Sequence, residues 1–521
     1  MGPCRSSRGL KANSAGGRQS PRFLLAHDTK AARSGNHELE AHASGAAGPR
    51  YLRSRVTFPA RGQVGRFHWS APRLYAEWPK NAADCRFLPQ PKSTAETLRS
   101  ARLAYCTSAR IHLRMTCRDG DVAILPGLMS TKISLPIATL ATRGAERLLR
   151  GHPWVFRSDI ATAPRVEAGL VDVRGPGGRK LGTALFSPGS EITIRRLEAD
   201  PDVVVDDSWW QRTLARAIAR RAPLASLTTA CRLVHGEGDG MPSLVVDQYG
   251  DILVLQLLSA GLETQRAHIV NALHALLKPT GILARNDPSV RTREGLERTV
   301  EVLAGTVPDT VQVTEHGVHY LAALRTGQKT GAFLDQRDNR ALIGSLARGR
   351  ALDCFSYHGS FAMHLARNAE HVTAVDVSAH ALERATENAS LNGLTNITPV
   401  TADAFEYLRE ARTRGDRFDT IVVDPPAFAK NRASVTHAMR GYADINRIAM
   451  QLLNPGGLMF TASCSHHVHL SDFLEVLEYA AAESGRSMAI RSITLQPLDH
   501  PMLLTVPETG YLKGAILEAM S

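Results

Sequence analysis

The chain reads as an α/β protein built around a doubly wound, mostly parallel sheet. Three observations carry that prediction. From about residue 317 short apolar runs alternate with helical patterns, which right-handed crossovers assemble into one open sheet. Before it, residues 131–197 alternate apolar and polar side chains between Gly and Pro turns, as short strands of a small β-rich domain do. The first 128 residues show no sustained period of 2 or 3.6 and stand apart from the rest.

Taken in order, ISLPIATL opens the patterned sequence, and RGAERLLRGHPWVFRSDI adds a short helix and a basic-aromatic turn. GLVDVRGPGGRKLGTALFSPGSEITIRRL supplies further strands. WWQRTLARAIARRA (209–222) has apolar residues at helical spacing. TACRLVHGEGDGMPSLVVDQYGDILVLQLLS (229–259) reads as three strands, with Gly-Asp-Gly and Tyr-Gly-Asp as turns. A helix over 262–277 and the strand GILARND complete an α+β segment. Beyond 317 the order is RALIGSLARG helix, RALDCF strand, GSFAMHLARN helix, HVTAVDVS strand and AHALERATENASLNG helix. ITPVTADAF strand, EYLREARTRG helix, FDTIVVDPP strand, ADINRIAMQLLNPGG helix and GLMFTASCS strand follow. The divisions are 1–128 as a disordered basic extension, 129–203 as the β-rich domain, 204–316 as the central α+β domain, and 317–521 as the α/β domain.

Charge is distributed unevenly. Residues 1–128 hold 21 Lys+Arg against 8 Asp+Glu, whereas 129–521 hold 41 against 42. The net +12 therefore resides in the first quarter, and overall charge does not argue for nucleic-acid binding by the remainder. The Arg-, Ser- and Gly-rich extension fits a disordered tail, an organelle transit peptide, or upstream sequence preceding a natural start at Met129. The last is preferred, because patterning begins at once after MSTKISLP. Seven cysteines without a CxxC pair argue against a zinc site of ordinary spacing and against a disulfide framework, and point to a reducing, cytoplasmic setting. No stretch has the length and apolarity of a membrane span, so no membrane partner is expected.

In doubly wound sheets ligands bind at the carboxyl ends of the strands. The first strand–turn–helix, ALDCFSYHGSF, lacks GxGxxG and keeps only Gly359. That suits S-adenosyl-L-methionine, which has no phosphates, better than a dinucleotide. Asp353, Phe355, Ser356 and Gly359 would line the loop. Asp376, with Val377 after it, ends the second strand, where an acid accepts from ribose hydroxyls. Asp403, followed by Ala404, ends the third, beside an adenine edge. Each acid alone is more often a helix cap or turn residue; three in succession, followed by DPP, argue for a cofactor. Asp424-Pro425-Pro426-Ala427-Phe428 then presents a carboxylate and a ring on a stiff loop, resembling the DPP[FY] segment that holds a planar base in class I methyltransferases. TASCSHHVH (461–469) leaves three readings for Cys464: nucleophile, metal ligand with its histidines, or buried packing residue. The crowding of Cys464, His466, His467 and His469 into six residues argues against a metal, and none is expected.

GHPWVF (151–156), HGEGDGMPSLVVDQYGD (235–251), GQKTGAFLDQRDNR (327–340), LDCFSYHGSFAMHLA (352–366), VDPPAFAK (423–430), TASCS (461–465) and DHPMLLTVPETGYLKG (499–514) together resemble the PUA-domain-containing 23S rRNA (cytosine-C5)-methyltransferase family. The resemblance covers nearly everything after Met129. It implies an N-terminal PUA domain, a central α+β domain and a Rossmann-like class I methyltransferase domain. It implies S-adenosyl-L-methionine as cofactor, with the 327–340 loop closing over its methionine end through Gln336 and Arg337. It implies RNA as partner, probed by Arg150, Trp154 and Arg157 in the PUA domain, with Pro425 and Phe428 at the base; Trp154 is equally a core residue of a small β domain. A homodimer is a further expectation. Cys464 becomes the expected nucleophile adding to C6 of cytosine, assisted by Asp424, and the histidines become bystanders. The chain departs from many RNA cytosine-C5 enzymes in having DPP where those carry a PC dipeptide. N-methylation of a base through the DPPAF loop is therefore the alternative enzyme reading. A non-catalytic RNA-binding protein with a vestigial methyltransferase domain is the alternative of another class.

Overall fold

The structure, a computed structural model, describes residues 134–429 and 434–520. The extension 1–128 lies outside them. Six short strands form the first sheet: β1 (Ile137–Leu140), β2 (Trp154–Val155), β3 (Ile160–Thr162), β4 (Gly169–Arg174), β5 (Lys180–Phe186) and β6 (Ile194–Glu198). Their order is β2-β6-β5-β4-β1-β3, antiparallel except for the β1–β4 pair. Helix α1 (Thr142–Leu149) buries Ala145 and Leu148 against Val171, Val173, Leu181 and Phe186 of this sheet.

Helix α2 (Asp207–Ala219) starts where the Asp206 carboxylate accepts from the Trp209 amide, satisfying one of the unpaired donors of a first turn. It packs, with α3 (Ala260–Glu263) and α4 (Arg266–Leu277), beside a second sheet. That sheet contains β7 (Ala230–His235), β8 (Leu244–Tyr249), β9 (Ile252–Leu257), β10 (Gly281–Asn286) and β11 (Thr299–Gly305), in the order β11-β10-β9-β8-β7. A short α5 (Val290–Arg293) lies between β10 and β11. The hairpin β12 (Thr310–Glu315)–β13 (Val318–Ala323) turns through His316-Gly317, both at positive φ. Its Val313, Val318 and Tyr320 share a core with Tyr249 of β8 and with Met363 of the next domain.

The third sheet carries the functional edge. Its strands are β14 (Arg350–Cys354), β15 (His371–Asp376), β16 (Ile397–Thr401), β17 (Phe418–Val423), β18 (Leu453–Ser463), β19 (Met488–Leu495) and β20 (Lys513–Ala519). The order is β16-β15-β14-β17-β18-β20-β19: five parallel strands, then β20 running antiparallel between β18 and β19. Helices α6 (Arg337–Leu346), α7 (Ser360–Ala366), α8 (Ala379–Leu391), α9 (Ala404–Arg414), α10 (Val435–Gln451) and α11 (Leu470–Ser484) connect and cover it. Apolar side chains from both faces of the inner strands form two cores, one under α9–α11 and one under α6–α7.

Two details differ from the sequence expectation. The helix read over 443–457 ends at Gln451, and Leu453 already pairs with Phe418 of β17. Asn454-Pro455-Gly456-Gly457 is a bulge inside β18, where the register slips between Phe418 and Thr420; Pro cannot donate to a ladder and Gly tolerates the bend. The strands β2, β3, β11, β12, β13, β19 and β20 were not anticipated. Among the described residues no helix is long and apolar enough to cross a membrane.

Candidate active site

Parallel pairing brings the carboxyl ends of β14, β15, β17 and β18 to one level. Cys354 is opposite Val375 and Val423, and Val423 is opposite Thr461. Residues one to three beyond these positions therefore gather at a single rim: the loop after Asp353, then Asp376, Asp424 and Cys464. The sequence expectation that these groups share an edge follows directly from this register.

The loop after β14 is built on Asp353, which is fully buried. Its Oδ2 accepts from Ser356 Oγ at 2.6 Å and from the Ala362 amide at 3.0 Å. Its Oδ1 is buried without a protein partner. Burial pushes the carboxyl up to about 7, with the Asp424 and Asp376 carboxylates adding to the rise. Phe355 and Tyr357 adopt positive φ, at 63° and 51°, a conformation costly for side chains of this size. Gly359 (φ 82°) sits so close to α8 that a Cβ would meet that of Ala385 at 2.9 Å, so only glycine completes the turn. Asp376 ties the loop down, accepting from the Tyr357 amide at 2.8 Å and the Ser378 amide at 2.9 Å. Val377, directly after it, is 75% exposed, an apolar platform at the rim with nothing covering it. Asp403 takes the N-cap place at α9: its Oδ1 accepts from the Phe405 and Glu406 amides, and Ala404 is buried behind it.

An orphaned buried oxygen, a strained loop and an exposed apolar residue beside a ribose-suited acid fit a nucleoside bearing a sulfonium. The chemistry needs no phosphate cradle, and none is built here.

Asp424 is half-buried after β17, and Pro425 is buried while Pro426 is exposed. Burial and the neighbouring Asp335 carboxylate push Asp424 up to about 7, against the pull of Lys329 and a hydrogen bond from Gln336. Phe428 is half-buried, its ring 4.7 Å from Tyr442 and 6.0 Å from Phe405, centroid to centroid. It joins an aromatic cluster with these two rings.

The two serines of TASCS fix Cys464. Ser463 Oγ donates to Tyr442 Oη at 3.0 Å, and Ser465 Oγ lies 3.0 Å from the same oxygen. Ser465 Oγ also accepts from the Ala429 amide, joining this loop to DPPAF. In an extended segment, residues two apart share a face, so both serines face α10 and Cys464 faces the other way. There it packs beside Tyr511 on the core that contains Phe460 and Ile516. Burial and Asp424 push its thiol up to about 11, while Lys329 and Lys513 draw it back. Cys354, in contrast, is fully buried and its thiol is pushed far up. The histidines diverge: His466 packs on the Tyr511 ring at 5.2 Å and His469 caps α11. Among the described residues no group of three or more His, Cys, Asp or Glu side chains is set to hold a metal.

Four residues at the rim were missed by the sequence reading. Lys329 Nζ donates to Asp335 Oδ2 at 2.5 Å, and Tyr511 Oη donates to the same oxygen at 2.7 Å. Lys513 Nζ donates to the Ser465 carbonyl at 2.5 Å. The position of Lys329 and Asp335 inside GQKTGAFLDQRDNR, beside the chosen Gln336, was the available signal. Gln336 itself is buried and reaches Asp424, while its Oε1 accepts from Asn339. Arg337 is elsewhere than expected. It is fully buried, with Nη1 and Nη2 on the Asp499 carboxylate at 2.9 and 3.0 Å and Nε on Asp338 at 2.9 Å, so its charge is matched within the protein and it holds the 499–511 segment.

In the first sheet, Arg150 is an exposed residue ending α1, with Glu146 3.9 Å away. Arg157 is half-exposed and donates to the Ser190 carbonyl at 3.3 Å. Trp154 is half-buried, its Nε1 donating to Glu237 Oε1 at 2.7 Å and its ring edge-on to His152. It thus ties the first sheet to the turn after β7, while Arg150 and Arg157 are exposed, each within 4 Å of an acid, Glu146 and Glu191 respectively.

Comparison with known proteins accords with this layout. A family described as S-adenosylmethionine-dependent methyltransferase matches residues 231–501, and one described as PUA-like domain matches residues 138–199. A Klebsiella pneumoniae (strain 342) protein named ribosomal RNA large subunit methyltransferase I is 40% identical over 394 residues, 74% of this chain and 98% of that protein. The Aeromonas salmonicida (strain A449) protein of the same name is 41% identical over 387 residues, 72% of this chain and 98% of its own. Among solved structures, a protein described as a methyltransferase complexed with SAH shares the fold. It has a TM-score of 0.65 at 22% identity, over 74% of this chain and 100% of that one.

Proposed function

The chain belongs to the ribosomal RNA large subunit methyltransferase I family and is an S-adenosylmethionine-dependent rRNA methyltransferase, and from that premise we propose that it forms 5-methylcytosine in 23S rRNA through a covalent adduct on Cys464. The observation that carries the proposal is the setting of Cys464. Serines on either side are held by Tyr442, so the thiol faces the rim occupied by Asp424, Lys329 and Lys513. A packing cysteine needs no such company.

Carbon 5 of cytosine is a weak nucleophile. Addition of the Cys464 thiolate to C6 forms an S–C6 bond and shifts the C5–C6 π electrons toward C5, while the neutral Asp424 carboxyl gives its proton to N3. Asp424 suits that donation because burial keeps a proton on it near neutrality. S-adenosylmethionine, when bound, supplies the electrophilic methyl that C5 takes up. The C5 proton then passes to solvent, the C5–C6 double bond re-forms as Cys464 leaves as the thiolate, and N3 returns its proton to the Asp424 carboxylate. Asp376, Val377 and the 355–359 loop hold the nucleoside part of the cofactor. Asp403 and Ala404 present the start of α9 beside it. Gln336 orients Asp424, and Arg337 supports the loop from behind. Reaching the base requires flipping it from its stack, and Arg150 and Arg157 grip phosphate on the way.

N-methylation is the weaker reading, because Phe428, the ring it would use, is packed between Phe405 and Tyr442. The test is methyl transfer from labelled S-adenosylmethionine to unmodified 23S rRNA, followed by nucleoside analysis. Cys464→Ala is expected to lower the rate by roughly 10³-fold and to remove 5-methylcytosine. An N-methylated product, or undiminished activity without Cys464, sinks the covalent route.

A further inference from the structure

The chain from Gly327 to Gln336, between β13 and α6, forms a strap at the rim that is tied in three places. Its base hangs from the second sheet. Arg285 of β10 donates from Nη1 to the Leu324 carbonyl at 2.7 Å and from Nη2 to the Gly327 carbonyl at 3.0 Å. Thr330 Oγ1 donates to Asp247 Oδ2 of β8 at 2.6 Å, and Tyr249 Oη accepts from the Ala332 amide at 3.1 Å. Arg285, Asp247, Tyr249 and Thr330 are all buried. Near the far end, Asp335 accepts from Tyr511 Oη at 2.7 Å. The third tie is of another kind. The Gln328 amide donates to Tyr357 Oη at 3.0 Å, and Phe333 meets the Tyr357 ring edge-on at 5.6 Å. Gln328 is exposed and Tyr357 half-buried, so water competes for this hydrogen bond and it opens more readily than the buried set. Tyr357 is itself strained, at φ 51°, with its amide on Asp376 Oδ2 at 2.8 Å. One residue thus joins the strap to the acid placed at the ribose.

We propose that Tyr357 is a positioning residue for S-adenosylmethionine: its hydroxyl is the catch that holds the 327–336 strap shut over the cofactor, with the Arg285, Asp247 and Tyr249 contacts as the hinge. The inference rests on the placement of the nucleoside at Asp376 and the 355–359 loop. The central sheet then has a share in retaining the cofactor, because it carries the strap. The catch closes against the same loop that the cofactor binds, so a bound cofactor and a closed strap favour each other. Breaking one exposed hydrogen bond frees the tip, where Lys329, at φ 53°, holds its Nζ 4.6 Å over the Phe333 ring and 2.5 Å from Asp335. The buried hinge keeps its place while S-adenosylhomocysteine leaves and fresh S-adenosylmethionine enters. Exchange is thereby gated at Tyr357 rather than by the unfolding of a domain.

Two measurements on the full chain test this. The first contains no ligand: a lysine-specific protease is added, and cutting after Lys329 is followed by mass spectrometry. Tyr357→Phe keeps the ring and removes the hydroxyl, and is expected to be cut there roughly 3- to 10-fold faster, the shift that one hydrogen bond supports. Thr330→Val, which loosens the hinge, should also be cut faster and shows that the assay reads the strap. The second is calorimetric binding of S-adenosylhomocysteine, which Tyr357→Phe should bind roughly 3- to 10-fold more weakly. In turnover its KM for S-adenosylmethionine should rise by a like factor while its KM for rRNA stays. Cutting of Tyr357→Phe at the wild-type rate overturns the catch. Faster cutting with unchanged S-adenosylhomocysteine binding overturns the placement of the cofactor under the strap, and the proposal with it. An equal rise in both KM values marks a general loosening and overturns the positioning role.

Discussion

At Asp424 and Cys464 the direction of two shifts sets how activity depends on pH. In the proposed covalent route the reactive pair is a protonated carboxyl with an ionised thiol, and the carboxyl, at about 7, loses its proton well before the thiol does, at about 11. Below pH 7 the fraction in the reactive form rises with pH, because thiolate grows while the carboxyl stays protonated. Between 7 and 11 the two changes cancel and the profile is level. Asp424→Asn should therefore be slower at pH 7 yet keep rising above it; initial rates of rRNA methylation between pH 6 and 9 decide this. A profile for Asp424→Asn that levels at the same pH as wild type contradicts the assignment. Much of this was legible in the text of the sequence, because Asp424 and Cys464 end neighbouring strands. Lys513 was not, because its place beside the Ser465 carbonyl comes from a ladder partner fifty residues away. Asp403 shows the opposite limit: an acid at a strand end is also a good helix cap, and the Phe405 and Glu406 amides use it so.

Between elements, the hairpin β12–β13 is locked to the methyltransferase sheet by Glu315. Its carboxylate accepts from Arg340 Nε and Nη2, both at 2.7 Å, and lies 3.2 Å from His364 Nε2; Arg340 is 1% exposed and Glu315 fully buried. Although burial alone would raise it, Arg340 and His364 together hold Glu315 well below the usual carboxylate range. The sign follows: with its folded value depressed, the stability from this group is present above its unfolded value of 4.5 and is lost as pH falls below that. Glu315→Gln leaves Arg340 buried without an anion and should cost about 3–5 kcal/mol, with a flatter dependence on pH below 4.5. Urea unfolding at pH 7 and pH 4 measures both. The hairpin was not visible to periodicity. Its strands are short, and what specifies their place is a buried ion pair to α6 and α7 that sequence spacing does not display. The alternating α/β run after residue 340 was visible, because each strand is a continuous apolar segment between helix signals.

Across the whole molecule, the segment from Asp499 to Tyr511 is the joint between the central sheet and the catalytic rim. Asp499 accepts from both terminal nitrogens of Arg337 and from the Arg232 amide, and its carbonyl accepts from Arg221. Arg221 in turn grips Asp239 in a bidentate pair. Asp499→Ala takes the bidentate partner from buried Arg337, leaving it only Asp338 at Nε, and should cost about 3 kcal/mol. It should also loosen the chain leading to Tyr511 and Lys513, so that limited proteolysis cuts within 499–511 before the rest unfolds. Wild-type resistance in that segment would show that the joint is held by other contacts. The order of strands has a separate consequence. The chain leaves β18, lays down β19 at the outer edge, and only then returns to fill the gap with β20. Until that return, Leu458–Ser463 is an apolar strand with a bare hydrogen-bonding edge, open to pairing with the same edge of another nascent copy. The strand that carries Lys513 to the Ser465 carbonyl is thus also the one that seals the sheet against aggregation. A chain lacking residues 513–519 should collect in inclusion bodies rather than survive as a merely inactive enzyme.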